Sequence, residues 1–73
     1  MDLRLMATWV DARGRVVGKI SQGIERTRLG QPVAVYVAEA VGLPADPCPR
    51  FECARKKVEG ALLVARIKAR ATL

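Results

Sequence analysis

Three prolines within six residues, in Pro44-Ala45-Asp46-Pro47-Cys48-Pro49, partition this chain. Each fixes its own φ and lacks an N–H, and each pushes the residue before it out of the helical region. The stretch is therefore an extended linker. It leaves 43 residues before it and 24 after. A chain of 73 residues makes one small basic domain, 1–73, that buries only about 60% of the surface its unfolded form exposes. Apolar residues make up 51% and are spread along the whole length, so a small core can form. Trp9, Tyr36 and Phe51 are the only aromatics, one in each third, and serve as core anchors.

Before the linker, Leu3 to Val10 alternates as a strand, with Leu3, Leu5, Ala7 and Trp9 on one side and Arg4, Met6 and Thr8 on the other. Asp11-Ala12-Arg13-Gly14 has Asp and Gly where a type I turn wants them, and Arg15 to Ile20 supplies a returning strand. The result is an N-terminal β-hairpin with Arg13 and Arg15 at its exposed tip. Ser21 is placed to cap a short helix carrying Ile24 and Leu29, which Gly30 ends. Val33 to Val41 satisfies two patterns. Four valines and a tyrosine favour a strand, while Pro32 before it, Gly42 after it and the helical spacing of Val33, Tyr36, Val37, Ala40 and Val41 favour a helix. We favour the helix, since Gly42 followed by Leu43 resembles a Schellman ending.

After the linker, Pro49 suits a first helical turn, and Phe51, Ala54, Val58 and Ala61 or Leu62 form an apolar stripe. Gly60 decides the form of the remaining residues. With Gly60 as a cap, the helix spans about 50–59, and Leu62 to Leu73 is a C-terminal strand in which Arg66, Lys68, Arg70 and Thr72 alternate with Ala65, Ile67, Ala69 and Ala71. With Gly60 inside a continuous C-terminal helix to about Arg70, Leu63, Val64 and Ile67 form a second apolar strip that needs a partner to hide it. The strand is the reading we prefer. Either way the fold class is α+β, a small single domain with one sheet.

The inventory of reactive side chains points away from catalysis. There is no His and no Asn, one Ser (Ser21) and three Thr. Nucleophilic Ser or Cys needs an adjacent base, commonly His, and none is present. Glu52 and Glu59 lie among Arg55, Lys56 and Lys57 and read as helix-face ion pairs. Gly14, Gly18, Gly23 and Gly30 match neither a P-loop nor a dinucleotide fingerprint. Cys48 and Cys53, without His, cannot close a zinc site, and they read as structural thiols of a reducing compartment. No cofactor, metal or small-molecule substrate is expected. The start Met-Asp-Leu-Arg-Leu lacks the pattern of a signal peptide, and no apolar run approaches the ~20 residues that cross a bilayer, so a cytoplasmic protein is expected.

Charge carries the functional signal. The chain has 13 Lys and Arg against 7 Asp and Glu, a net +6, distributed as +3 over 1–30, −2 over 31–49 and +5 over 50–73. So lopsided a C-terminal segment steers acidic partners. The candidate partner-binding residues are Arg55, Lys56, Lys57, Arg66, Lys68 and Arg70, beside exposed apolar residues such as Leu63 or Ile67. In the strand reading Arg66, Lys68 and Arg70 stand about 6.6 Å apart on one face, a row able to follow carboxylates or phosphates.

Val37-Ala38-Glu39-Ala40-Val41-Gly42-Leu43 mimics the turn of a helix-turn-helix, but the recognition helix would have to start among Pro44, Pro47 and Pro49. Binding of DNA or RNA through the basic face stays as the alternative function, and a ribosome-associated or antitoxin-like module as a third. In size, charge and lack of catalytic equipment, over its full length, the chain resembles the tiny phage-encoded proteins that bind a host's bacterial RNA polymerase. That resemblance implies a non-enzymatic inhibitor of transcription initiation acting by protein–protein contact. It carries no site residue with it.

Overall fold

A computed structural model describes residues 3–71, with side chains through position 68. Four strands and one helix run in the order β1 (Arg4–Val10), β2 (Val16–Arg26), β3 (Pro32–Ala40), β4 (Pro47–Cys48) and α1 (Phe51–Ala71). The strands form an antiparallel meander, β1-β2-β3-β4, and α1 packs across one face of it. The α+β class and the N-terminal hairpin stand as read from the sequence.

The first hairpin turns where Asp11 and Gly14 place it. Gly14 N–H donates to Asp11 C=O at 3.0 Å and Asp11 N–H to Arg15 C=O at 2.9 Å, with Gly14 at φ 79°. This is a type I turn followed by a left-handed residue, the usual three-residue hairpin loop. The Asp11 carboxylate accepts the N–H groups of Arg13 and Arg15 at 2.9 Å each and pairs with the Arg15 guanidinium at 3.0 Å. The second hairpin, between β2 and β3, repeats the device sixteen residues on. Gly30 N–H donates to Thr27 C=O at 2.9 Å and Thr27 N–H to Gln31 C=O at 3.0 Å, with Gly30 at φ 77°. Thr27 Oγ1 accepts the Gln31 N–H at 3.3 Å in the role of the aspartate.

That second turn overturns the short helix capped by Ser21. β2 runs unbroken to Arg26 and pairs with β3 over nine positions, from Gly18↔Ala40 to Arg26↔Pro32. Gly23 weakens any helix here, and a waiting partner strand satisfies every second backbone group. Val33 to Val41 is likewise corrected from helix to strand. Its branched side chains lose χ1 freedom in a helix, and nearly every residue is apolar, so both periods fit and pairing decides. Pro32, the first residue of β3, sits where a missing N–H is tolerated. Gly42 is no Schellman cap: Leu43 N–H donates to Ala40 C=O at 3.1 Å with Gly42 at φ 77°, the position that type II turns reserve for glycine.

The C-terminus is corrected as well. α1 passes through Gly60 and continues to Ala71, so Leu62–Leu73 does not form the preferred strand; 72 and 73 lie outside the described residues. Ala, Leu, Arg and Lys dominate this segment and are good helix formers, whereas one interior glycine costs only about 1 kcal/mol. Pro49 stands just before the helix: Ala54 N–H donates to Arg50 C=O at 3.3 Å, which makes Arg50 the cap. The linker is extended only in part: Asp46 N–H donates to Pro44 C=O at 2.9 Å, closing a tight turn at Ala45, and Pro47–Cys48 then pair with Val37 and Tyr36 as β4.

The core is small. Ile20, Ala38, Cys48, Ala54 and Val58 are buried, with Trp9, Tyr36 and Phe51 packed against them. Tyr36 and Phe51 meet edge to face at 5.9 Å, fastening the start of α1 to β3. A β-bulge in β1 reassigns one strand face: Leu5 pairs with Ser21 but Ala7 pairs with Ile20, so Leu5 falls on the side away from α1 and is 58% exposed. Gly18 marks the closest approach of helix to sheet. A Cβ there would lie 2.7 Å from Val58 Cγ1, so only glycine admits the helix at this depth.

The molecule is long for its size. Its Cα radius of gyration is 14.2 Å, against about 11 Å for a compact chain of this length, and its principal extents are 52 × 21 × 17 Å. Two regions account for this. The β2–β3 ribbon outruns both neighbouring strands, since β1 reaches only Gln22 and β4 only Tyr36. The second half of α1 buries little beneath it, with Leu63, Val64 and Ile67 exposed by half or more. Among the described residues no helix is long and apolar enough to cross a membrane.

Candidate functional site

The six cations singled out by sequence lie on α1, but they do not form one row. An α-helix turns about 100° per residue, so positions 66 and 68 are about 160° apart and the expected 6.6 Å ladder is dispersed. Arg55 and Arg66 share one flank of α1 with Glu52 and Glu59. Arg55 bridges both acids, at 3.6 Å to Glu52 and 3.7 Å to Glu59, as the sequence spacing predicts. Lys57 and Lys68 lie within about 20° of each other on the other flank, and Lys56 projects between the two flanks, about 40° from Glu52 and about 100° from Lys57. Arg70 is on the helix by its backbone, and its side chain lies outside the described residues.

Among the described residues, Lys56, Lys57, Arg66 and Lys68 have no carboxylate within ion-pair distance. Glu52 and Glu59 both reach Arg55, and Lys56 stands one helical turn from each of them and shares a surface depression with Glu52, so the uncompensated charge of the lysine flank is that of Lys57 and Lys68. That charge stays free to act on a partner, at the distance a Debye length of about 8 Å allows in physiological salt.

Apolar residues sit among these lysines. Val64 and Ile67 are 50% and 58% exposed, and across from them the β3–β4 turn presents Val41 at 75% exposure. Between helix and turn runs an open groove of about 330 Å³, walled by Val41, Gly42 and Leu43 on one side and by Gly60, Ala61 and Val64 on the other, with Lys56, Lys57 and Lys68 around it. Gly60 has no atom within 4 Å of where its Cβ would be; it lies about 140° around the helix from the buried side of Ala54 and Val58, so its missing side chain leaves open space at the outer rim of the groove. Leu63, the other apolar residue singled out by sequence, is 55% exposed nearer the arginine flank.

Sequence reasoning located the lysines and the second apolar strip but missed the turn residues that face them. Val41-Gly42-Leu43 carried the signal, an apolar pair around a glycine, and it was absorbed by the reading of a helix end.

A larger cleft, about 720 Å³, opens at the end of the sheet beside Asp11, Arg15, Lys19 and Glu39. Its charges are already paired, Asp11 with Arg15 and Lys19 with Glu39 at 3.3 Å. The N–H of Arg15 foremost, then the N–H of Arg13 and the Arg15 side chain, keep the Asp11 carboxyl below the usual value of 3.8, against the opposing effect of desolvation. Cys48 is buried and Cys53 exposed, both as free thiols. Among the described residues no three His, Cys, Asp or Glu side chains come together as a metal-holding set. The chain matches no protein-family model, no curated protein and no solved structure.

Proposed function

We propose that this protein is a non-enzymatic regulator that acts by docking α1 on an acidic protein surface, with bacterial RNA polymerase as the partner and modulation of transcription as the outcome. One observation carries the docking: the lysine flank of α1 combines uncompensated positive charge with half-exposed valine and isoleucine. Charge of this kind speeds encounter and selects acidic partners, and apolar residues ringed by it supply the contact that excludes water. Occupying or locking a mobile element of a larger machine requires affinity and position, and no bond-making chemistry. The choice of polymerase rests on the resemblance in size and charge. Such a partner lies in the cytoplasm, where we place the protein.

A nucleic acid is the competing partner for the same cations. Exposed Val41, Val64 and Ile67 favour protein, because a phosphate backbone has no use for apolar neighbours. The test is co-purification of the folded chain with purified bacterial polymerase at two salt concentrations, beside titration against a random DNA duplex. A complex that persists at the higher salt is expected. Absence of any complex with the enzyme removes the polymerase from the proposal. Tight duplex binding whose affinity falls by about 0.9 log unit per contacted phosphate for each tenfold rise in salt would transfer the function to nucleic acid.

A further inference from the structure

The groove between α1 and the β3–β4 turn is built for something narrower than a flat acidic surface. We infer that it seats an acidic amphipathic helix, whose apolar side chains enter at Gly60 and whose carboxylates meet Lys56, Lys57 and Lys68. This rests on the reading of α1 as a docking face and adds the chemistry of the segment that docks.

Three observations point to that occupant. The walls are apolar or small, and Gly60 leaves the outer rim open, so aliphatic side chains can enter past it. The charged groups lining the groove are all lysines, and Lys57 and Lys68 have no acid of α1 at helical-neighbour spacing. Charge complementarity therefore demands an acidic segment with apolar anchors. A second copy of this chain is disfavoured on the same ground, since it brings a net +6 toward the same lysines. At about 330 Å³ and open along its length, the groove is at the low end of the 300–1,000 Å³ that enclose small ligands, and it suits one or two anchor side chains of a helix instead.

The probe is a synthetic fluorescent helix with Leu at i, i+3, i+4 and i+7 and Glu on both sides of the leucine stripe. Two controls accompany it, one with every Glu replaced by Lys and one with every Leu replaced by Ala. Fluorescence anisotropy with the full chain should show saturable binding of the acidic peptide alone. The decisive variant is Gly60→Leu. It removes a helix-interior glycine, so its melting temperature should equal or exceed that of the wild type, while its side chain stands across the open rim of the groove and should weaken peptide binding at least about tenfold. Joint reversal by Lys56→Glu, Lys57→Glu and Lys68→Glu should weaken binding by a similar factor or more.

Equal binding of the two peptides of opposite charge, no binding of the acidic peptide, or unchanged binding by a folded Gly60→Leu protein would overturn the inference. So would concentration-dependent dimerisation by sedimentation that Gly60→Leu abolishes, which would give the groove to a second copy, or duplex binding that it abolishes, which would give it to nucleic acid. The two proposals fail separately. Polymerase binding that survives Gly60→Leu but not the lysine reversal keeps the docking face and discards the groove. Saturable, Gly60-dependent peptide binding without any polymerase complex keeps the groove and discards that partner.

Discussion

The first three turns of α1 and the last three are built from much the same residues, yet they do opposite things. From Phe51 to Leu62 the helix lays Ala54 and Val58 into the core, fully buried, with Phe51 meeting Tyr36 edge to face. From Leu63 onward, Leu63, Val64 and Ile67 are of equal or greater hydrophobicity but stand half or more in water. What separates them is the side of the helix they occupy: at about 100° per residue, Leu63, Val64 and Ile67 project about 100–160° around α1 from the midline of Ala54 and Val58, away from the four-stranded sheet. Hydrophobicity alone therefore does not mark a core; a residue is core when an opposing surface exists at its position.

The sharpest test of that contrast exchanges the same atoms in both halves. Val58→Ala should cost about 2 kcal/mol or more in urea denaturation, because the site is sealed and cannot collapse, whereas Val64→Ala should stay within about 0.5 kcal/mol. In a domain this small, the former is a large part of the total stability. Similar losses at both positions would mean that α1 is covered on its outer side as well, and the comparison would break.

Next come two glycines. Gly18→Ala drives a methyl group against Val58, and the core must shift at a cost of about 1–3 kcal/mol. Gly60→Ala places its methyl group in open space and should stabilise by about 0.5–1 kcal/mol, as helix propensity dictates. Opposite signs from one chemical change, read by thermal melts, would locate the line between packed and unpacked helix. A stabilising Gly18→Ala would refute the tight approach.

Amide hydrogen exchange sharpens the boundary without any substitution. Amides of Ala54 to Leu62 should exchange through near-global opening, and those beyond Val64 through local fraying, at rates at least about tenfold faster. The smallest effect lies outside the helix. Asp11 has a folded pKa below its unfolded value, so its contribution is present above about pH 4 and is lost as pH falls through the folded pKa. Wild type should lose melting temperature across that window slightly more than Asp11→Ala does. Identical acid profiles would show that the turn does not feel the carboxylate.

How much of this was legible from residues alone depends on the same division. Asp11-Ala12-Arg13-Gly14 announced its turn because each residue has a local reason to be there. Thr27-Arg28-Leu29-Gly30 uses the same reasons with a hydroxyl in place of the carboxylate, but Ser21 offered a competing helix cap and local rules could not choose. Pairing with β3 chose. Val33 to Val41 fits both periods because almost every position is apolar, so only a neighbour strand resolves it. In the candidate site the cations were visible as charge, and Arg55 with Glu52 and Glu59 was visible as spacing. Their separation into a lysine flank and an arginine flank depended on whether Gly60 ends the helix, a balance of about 1 kcal/mol that neighbours settle.

The bare α-carbon at Gly18 has a consequence for the far side of the molecule. Val58 drops into the notch that this residue leaves, and like a pin in a keyway it indexes both how far α1 slides and how it is rolled about its axis. Advancing the helix by one residue would roll it through about 100° and carry Lys56, Lys57 and Lys68 off the side of the Ala40–Leu43 turn. The compass bearing of the positive surface is thus set by a hydrogen atom on β2, where no charge is in sight.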